Sequence, residues 1–189
     1  WNRDIRSPSG GDNLYLASIV AVRVADGTLA WHYQQVPGER WDYTATMKMV
    51  LAELEIGGRR RQVLMQAPKN GFFYVLDRRT GELLAADKFA AVNWASHVDL
   101  KTGRPVLTGD ADYQATPKVV FPSPIGARSW QAMAFNPGTG LVYIPAIESA
   151  WIYVNLVHAR RPPLDPRTWS HATYVPVEAY RRDIFDTEF

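Results

Sequence analysis

Apolar residues occur along this chain in short bursts of five to eight, separated by Gly, Pro, Asp and Asn. That rhythm belongs to strands and tight turns rather than to helices. Leu14–Val24, apolar but for Ser18 and, near its end, Arg23, predicts a strand, Asp26-Gly27 predicts a hairpin turn, and Thr28–Tyr33 predicts the returning strand. Met47–Glu55 fits helix or strand by period, but Gly57-Gly58 and the strand-like Arg61–Gln66 behind it favour a hairpin. Gln66–Gly71 reads as a turn, Phe72–Leu76 as a strand of aromatic and branched residues, and Glu82–Ala86 as its continuation after a second turn. Further on, Ala91–Val98, Lys118–Phe121, Ser129–Phe135 and Leu141–Ala146 are strand candidates, with Leu107–Ser123 mostly long loop. Trp151–Val157 suits a strand or a short helix, and the chain after Arg160 is Pro-rich and mixed. Trp1–Asn13 is polar, Gly-rich and loop-like.

A repeated turn sets the architecture. Asp77-Arg78-Arg79-Thr80-Gly81, Asp99-Leu100-Lys101-Thr102-Gly103 and Asn136-Pro137-Gly138-Thr139-Gly140 share Asp or Asn, two residues, then Thr-Gly. The acid or amide starts the turn through its side chain, and Gly takes the left-handed position. Val24–Gly27 is a weaker copy, with Arg23 where the acid would stand and Trp31 following. Recurrent antiparallel hairpins of this kind predict an all-β chain of β-propeller blades, four-stranded sheets of about 45 residues each. The chain would supply about four blades of an expected eight. Residues 1–150 are expected to form this partial propeller, and 151–189 a continuation of it or an insertion.

Composition narrows the function. A hydrophobic share of 47% permits a sizeable core, and a net charge of +2 makes no case for nucleic acid. The run Arg59-Arg60-Arg61 has no interleaved aromatics and reads as a solvated hairpin tip. No stretch of about 18 apolar residues is present to span a membrane. Without cysteine there is no disulfide framework, thiolate metal site or c-type haem attachment within these residues. His32, His97, His158 and His171 lack a metal-ligand spacing and read as surface or loop residues. The chain opens on Trp1 rather than Met and stops at Phe189 without a closing signal, which suggests a mature segment or a fragment.

The candidate chemistry centres on Trp41-Asp42-Tyr43. A carboxylate set between an indole and a phenol is expected to be partly desolvated, with a raised pKa that suits a base near neutral pH. The competing reading has Asp42 bonding its own loop while the two rings pack.

Four stretches then carry a resemblance: Gly11–Tyr15, Ala30–Gln34, Trp41–Thr46, and Met65–Arg78 with its Ala67-Pro68-Lys69-Asn70-Gly71. Together with Val92-Asn93-Trp94, Asp99–Pro105 and Gly140–Ala146, they closely resemble the quinoprotein alcohol dehydrogenases, over about residues 1–150. That family implies an eight-bladed propeller with pyrroloquinoline quinone (PQQ) in its central channel, a calcium ion at the quinone, and oxidation of primary alcohols in the periplasm. By position, the resemblance gives Asp42 the role of base for the alcohol hydroxyl proton, and Lys69 that of a cation at the quinone oxygens. It places Trp130 at a cofactor contact. Ser129 stands where the family usually has Asn, leaving a shorter side chain to make that contact; ordinary blade packing is the other reading of Trp130. Thr44 occupies a position where lanthanide-using relatives carry a second Asp, so the resemblance favours calcium.

The resemblance also implies parts that this sequence does not carry. The metal-binding Glu and Asn, the adjacent-cysteine disulfide and the stacking tryptophan belong upstream, so no metal ligand is assigned here. Haem c would belong to a downstream part, and the electron acceptor would be such as a cytochrome c. The segment alone is accordingly expected to be inactive. Two other readings stand beside it: a non-catalytic propeller that binds protein partners as a scaffold, and a sugar dehydrogenase with the same cofactor. Trp-Asp-Tyr and Ala-Pro-Lys-Asn-Gly speak against the first, and the Trp-Asp-Tyr context against the second.

Overall fold

The computed structural model describes residues 9–154. The expectations for residues 1–8 and 155–189, including His158 and His171, lie outside the described residues. Twelve strands and one short 3-10 turn make up the described part. They are β1 Ser18–Val22, β2 Leu29–Gln34, β3 Val50–Ile56, β4 Arg59–Gln66, β5 Phe72–Asp77, β6 Leu83–Lys88, β7 Ala95–Asp99 and β8 Arg104–Leu107. The 3-10 turn Gly109–Ala111 precedes β9 Lys118–Val120, β10 Ala134–Asn136, β11 Leu141–Tyr143 and β12 Trp151–Tyr153. All paired strands run antiparallel, and the all-β reading holds.

One sheet has the full four strands, in the order β3-β4-β5-β6, and the pairs β1-β2, β7-β8, β10-β11 and β9-β12 stand beside it. The four-stranded sheet is an uninterrupted meander because Gly57-Gly58, the Ala67–Gly71 turn and the Asp77–Gly81 turn reverse the chain between successive strands. Alternation divides its side chains between two cores. Leu64, Phe72, Tyr74 and Leu76 face a core that also holds Ile19, Tyr33, Trp41, Tyr43, Trp94, Val98 and Tyr153. Val63, Met65 and Val75 face the other, with Met133 and the partly buried Val50, Ala52, Leu54, Phe135 and Val142. A sheet that buries both faces against neighbouring sheets is the packing unit of a propeller.

The repeated turns tie neighbouring sheets together. In each, the glycine N–H bonds the carbonyl four residues back: Gly81 to Asp77 at 2.8 Å, Gly103 to Asp99 at 2.8 Å, Gly140 to Asn136 at 2.9 Å. Gly27 repeats this with Arg23 at 2.8 Å, so the weaker copy is a true member of the set. The Trp31 indole of β2 lies flat on Gly81, where a Cβ would sit 2.7 Å from its ring, and its Nε1 donates to Arg78 O at 3.2 Å. At φ +78 and under an indole, position 81 accepts no side chain. Tyr33 does the same for the next turn, donating its hydroxyl to Gly103 O at 2.9 Å.

Three expected strands are shorter than the apolar pattern implied. The first begins at Ser18, because Asn13 and Ala17 are left-handed and Gln34 Nε2 draws Asp12 O and Leu16 O into a turn. Ser129–Phe135 is extended only from Ala134, since Arg128 Nε holds Gln131 O at 2.8 Å and curls the chain. The strand from Leu141 ends at Tyr143, and Ile147 N then reaches Ala127 O at 2.7 Å. Among the described residues, no helix is long and apolar enough to cross a membrane.

Candidate active site

Residues 41 and 43 lie two apart on either side of Asp42, whose left-handed backbone, at φ +65, turns the chain between them. Both are fully buried, and their rings stack on one another at 5.8 Å with an interplanar angle of 21°. Each also meets Trp94, at 5.0 and 5.6 Å. Asp42 therefore does not sit between the rings, as the sequence suggested: they close on each other, and Asp42, at φ +65, carries a side chain that keeps 31% of its exposure. Filling the gap between rings with a carboxylate would cost its hydration, a larger penalty than the single Trp41 Nε1 left without a partner by ring on ring.

Glu39 is the buried acid of this loop, 4% exposed. Its Oε1 accepts the backbone N–H of Trp41 at 2.6 Å and of Tyr43 at 2.8 Å, the two amides flanking Asp42. Burial pushes its carboxyl up to about 7; the two N–H donors oppose that rise, and the neighbouring Asp42 charge adds to it.

The carbonyls of the loop are held from elsewhere in the chain. Tyr113 donates to Arg40 O at 2.6 Å, Tyr153 to Trp41 O at 2.7 Å, and Tyr43 itself to Pro122 O at 2.5 Å. Burial holds the hydroxyls of Tyr43 and Tyr153 well above the usual phenol range, so both remain donors. Lys69 completes the set. Its Nζ donates to Asp42 O at 3.1 Å and stands 3.5 Å from Asp42 Oδ2, with only 14% of its side chain exposed.

The Lys69 turn is built from its neighbours. Asn70 Oδ1 accepts Phe72 N at 3.1 Å, its Nδ2 donates to Tyr74 OH at 2.7 Å, and Trp94 Nε1 donates to Asn70 O at 3.0 Å. On the other side runs the segment that carries Ser129 and Trp130. Ala127 N bonds Lys69 O at 2.9 Å, and Arg128 Nη1 bonds Ala67 O at 2.6 Å. Gly126, at φ +93, lets the lysine stem pass: a Cβ there would overlap Lys69 Cβ and Cγ. Ser129 is partly buried, and its N–H bonds Gln131 Oε1 at 3.3 Å. Trp130 is 86% exposed and so does not pack within the described sheets.

The structure thus brings Asp42 and Lys69 into direct contact and places Ser129 and Trp130 on the strip bonded to the Lys69 turn. Glu39, Asn70 and Arg128 were missed in the sequence. A buried carboxyl inside Pro37-Gly38-Glu39-Arg40 has no signal of its own there, since the stretch reads as a solvated turn. His32 and His97 are exposed on β2 and β7.

The burial of Glu39 has a measurable sign. Its carboxyl binds a proton more readily folded, near 7, than unfolded, near 4.5, so the folded state holds more protons between those values. Stability from this group is greatest below about 4.5 and is lost as pH rises through about 7, by roughly 3 kcal/mol in all. Urea midpoints of the native and Glu39→Gln proteins at pH 5 and pH 8 check this: the Gln protein gains on the native one at the higher pH.

The donor set also bears on ligands. An ammonium has three N–H donors, and Lys69 directs two of them at Asp42, which leaves one for an oxygen-rich anionic group beside the carboxylate. Arg128 Nη2, on the adjoining strip, is buried with no acceptor. These features fit a planar anionic quinone. No group of three or more His, Cys, Asp or Glu among the described residues is placed to hold a metal ion.

The β-propeller domain family described as glucose/ethanol/alcohol dehydrogenase, PQQ, matches residues 6–96. The quinohemoprotein alcohol dehydrogenase ADH IIB of Pseudomonas putida is 61% identical over 155 residues, 82% of this chain and 22% of that protein. The quinohemoprotein alcohol dehydrogenase of Comamonas testosteroni is 52% identical over 146 residues, 77% of this chain and 20% of that protein. Among solved structures, quinohemoprotein alcohol dehydrogenase ADHIIG of Pseudomonas putida superimposes with a TM-score of 0.81 at 51% identity, over 85% of this chain and 24% of that one. The chain spans about a fifth of the length of the curated relatives it matches.

Proposed function

Since the chain belongs to the quinoprotein alcohol dehydrogenase family, we propose that it is the part of a PQQ-dependent alcohol dehydrogenase that carries the catalytic base. PQQ, when bound, supplies the two-electron acceptor for the hydride of a primary alcohol. Asp42 takes the hydroxyl proton at Oδ2. Lys69 orients that carboxylate and directs its remaining N–H at the quinone oxygens, where a fixed cation is worth most. Ser129 and Trp130 flank the cofactor from the strip bonded to the Lys69 turn. Calcium is the companion ion of this reading, because residue 44 is Thr and adds no second carboxylate; its ligands come from residues outside this chain. The reading extends to a periplasmic location and to electron transfer to a cytochrome c or to haem c in another part of the protein. By itself the segment is expected to be inactive.

The contact between Lys69 Nζ and Asp42 Oδ2, at 3.5 Å, with the lysine nearly buried and the aspartate partly open to water, carries this proposal. A scaffold that only binds protein partners has no use for a base and a cation held together in this way. The test uses the complete protein, purified without cofactor, with reduction of an artificial dye by a primary alcohol as the readout. Activity is expected only after both PQQ and calcium are added. Turnover without either addition, or none with both, would refute the assignment.

A further inference from the structure

Asp42 is one of three non-glycine residues among those described with a positive φ, and it stands at the centre of the proposed chemistry. An L-residue in that conformation is disfavoured unless its surroundings hold it. The two peptide N–H groups on either side of it, those of Trp41 and Tyr43, point to a single atom, Glu39 Oε1, at 2.6 and 2.8 Å. The carboxyl that receives them is buried and lies three residues away, so it is a fixed anchor and not a solvated arm. The carbonyls of residues 40, 41 and 42 are tied as well, but by side chains from other segments. On the N–H side of the loop, Glu39 alone bridges both neighbours of Asp42.

We propose that Glu39 is a positioning residue for the base: one oxygen of its side chain clamps the amides of Trp41 and Tyr43 and so fixes the left-handed backbone that aims Asp42. The inference rests on the function proposed above for Asp42. What matters in it is the reach of the acceptor oxygen, not the charge it carries. A glutamine has the same reach, and its amide oxygen accepts both N–H groups. An aspartate keeps the charge but draws the oxygen back by one methylene, out of bonding distance of at least one amide.

The pair of variants Glu39→Asp and Glu39→Gln separates the two properties. In the complete protein loaded with PQQ and calcium, Glu39→Asp is expected to lose roughly tenfold to a hundredfold in kcat at unchanged KM, the scale of a small misplacement of a reacting group. Glu39→Gln is expected to stay within about threefold of the native kcat, since both N–H bonds persist. Hydrogen exchange at the amides of Trp41 and Tyr43, followed in the cofactor-free protein, gives the second readout. It should accelerate in Glu39→Asp and stay at the native rate in Glu39→Gln. Native exchange rates in Glu39→Asp overturn the clamp, and an equal fall of kcat in both variants overturns the claim that reach governs. A native protein without quinone-dependent turnover would refute the function assigned to Asp42, while the exchange rates would still decide the clamp.

Discussion

Asp42→Asn in the complete protein is expected to bind PQQ with native affinity and to oxidise alcohols roughly 10²–10⁴-fold more slowly, the range for removal of a general base. Asparagine is the informative replacement at this position. Together with aspartate and glycine it tolerates a positive φ best, so the loop at φ +65 keeps its shape. Its amide oxygen still accepts from Lys69 Nζ, which preserves the contact at 3.5 Å. What it cannot do is take a proton from an alcohol. Alanine would remove the proton acceptor and strain the backbone at once, and its effect could not be divided between the two. Quinone binding followed by fluorescence, beside steady-state dye reduction, checks the expectation; native rates in the Asn protein would remove Asp42 from the mechanism.

Lys69→Met is expected to cost roughly 10²–10³ in kcat, the scale seen when one fixed donor to developing negative charge is lost. Methionine keeps the length of the apolar stem, which must still cross Gly126. The ammonium disappears, and with it the N–H that is free of Asp42. Stability should change little, by at most about 1 kcal/mol, because Asp42 keeps access to water when its partner is gone. A large fall in kcat beside a nearly constant urea midpoint is therefore the expected pair of results. Parallel falls in both would mark Lys69 as structural.

The hairpins were legible because their signals are local. Asp or Asn, two residues and Thr-Gly specify a turn whose every bond lies within five residues, and all three full copies formed it. The reading that placed Asp42 between the Trp41 and Tyr43 rings failed, since spacing alone says nothing of a left-handed residue in the middle that lets the two rings stack. Asp42 and Lys69 were readable as a pair through a family resemblance, and no periodicity in the chain would have joined them. Glu39 could not be read at all. Its carboxyl lies near Tyr43 of its own loop and Tyr153 of a distant strand, and a charged residue next to Pro37-Gly38 gives no hint of the latter. The premature ends of the first strand and of Ser129–Phe135 have the same origin: side chains of Gln34 and Arg128 compete for backbone carbonyls that an apolar pattern assigns to a ladder.

The phenol of Tyr153 that grips the carbonyl of Trp41 lies 112 residues further along the chain. While the polypeptide is being synthesised, the stretch around residue 42 leaves the ribosome long before this partner does. Its own hairpins can close early, at low entropic cost. The reactive corner must wait, open and unshaped, until the last of the described strands arrives. A nascent chain halted before residue 153 should therefore carry finished hairpins and an unfinished site.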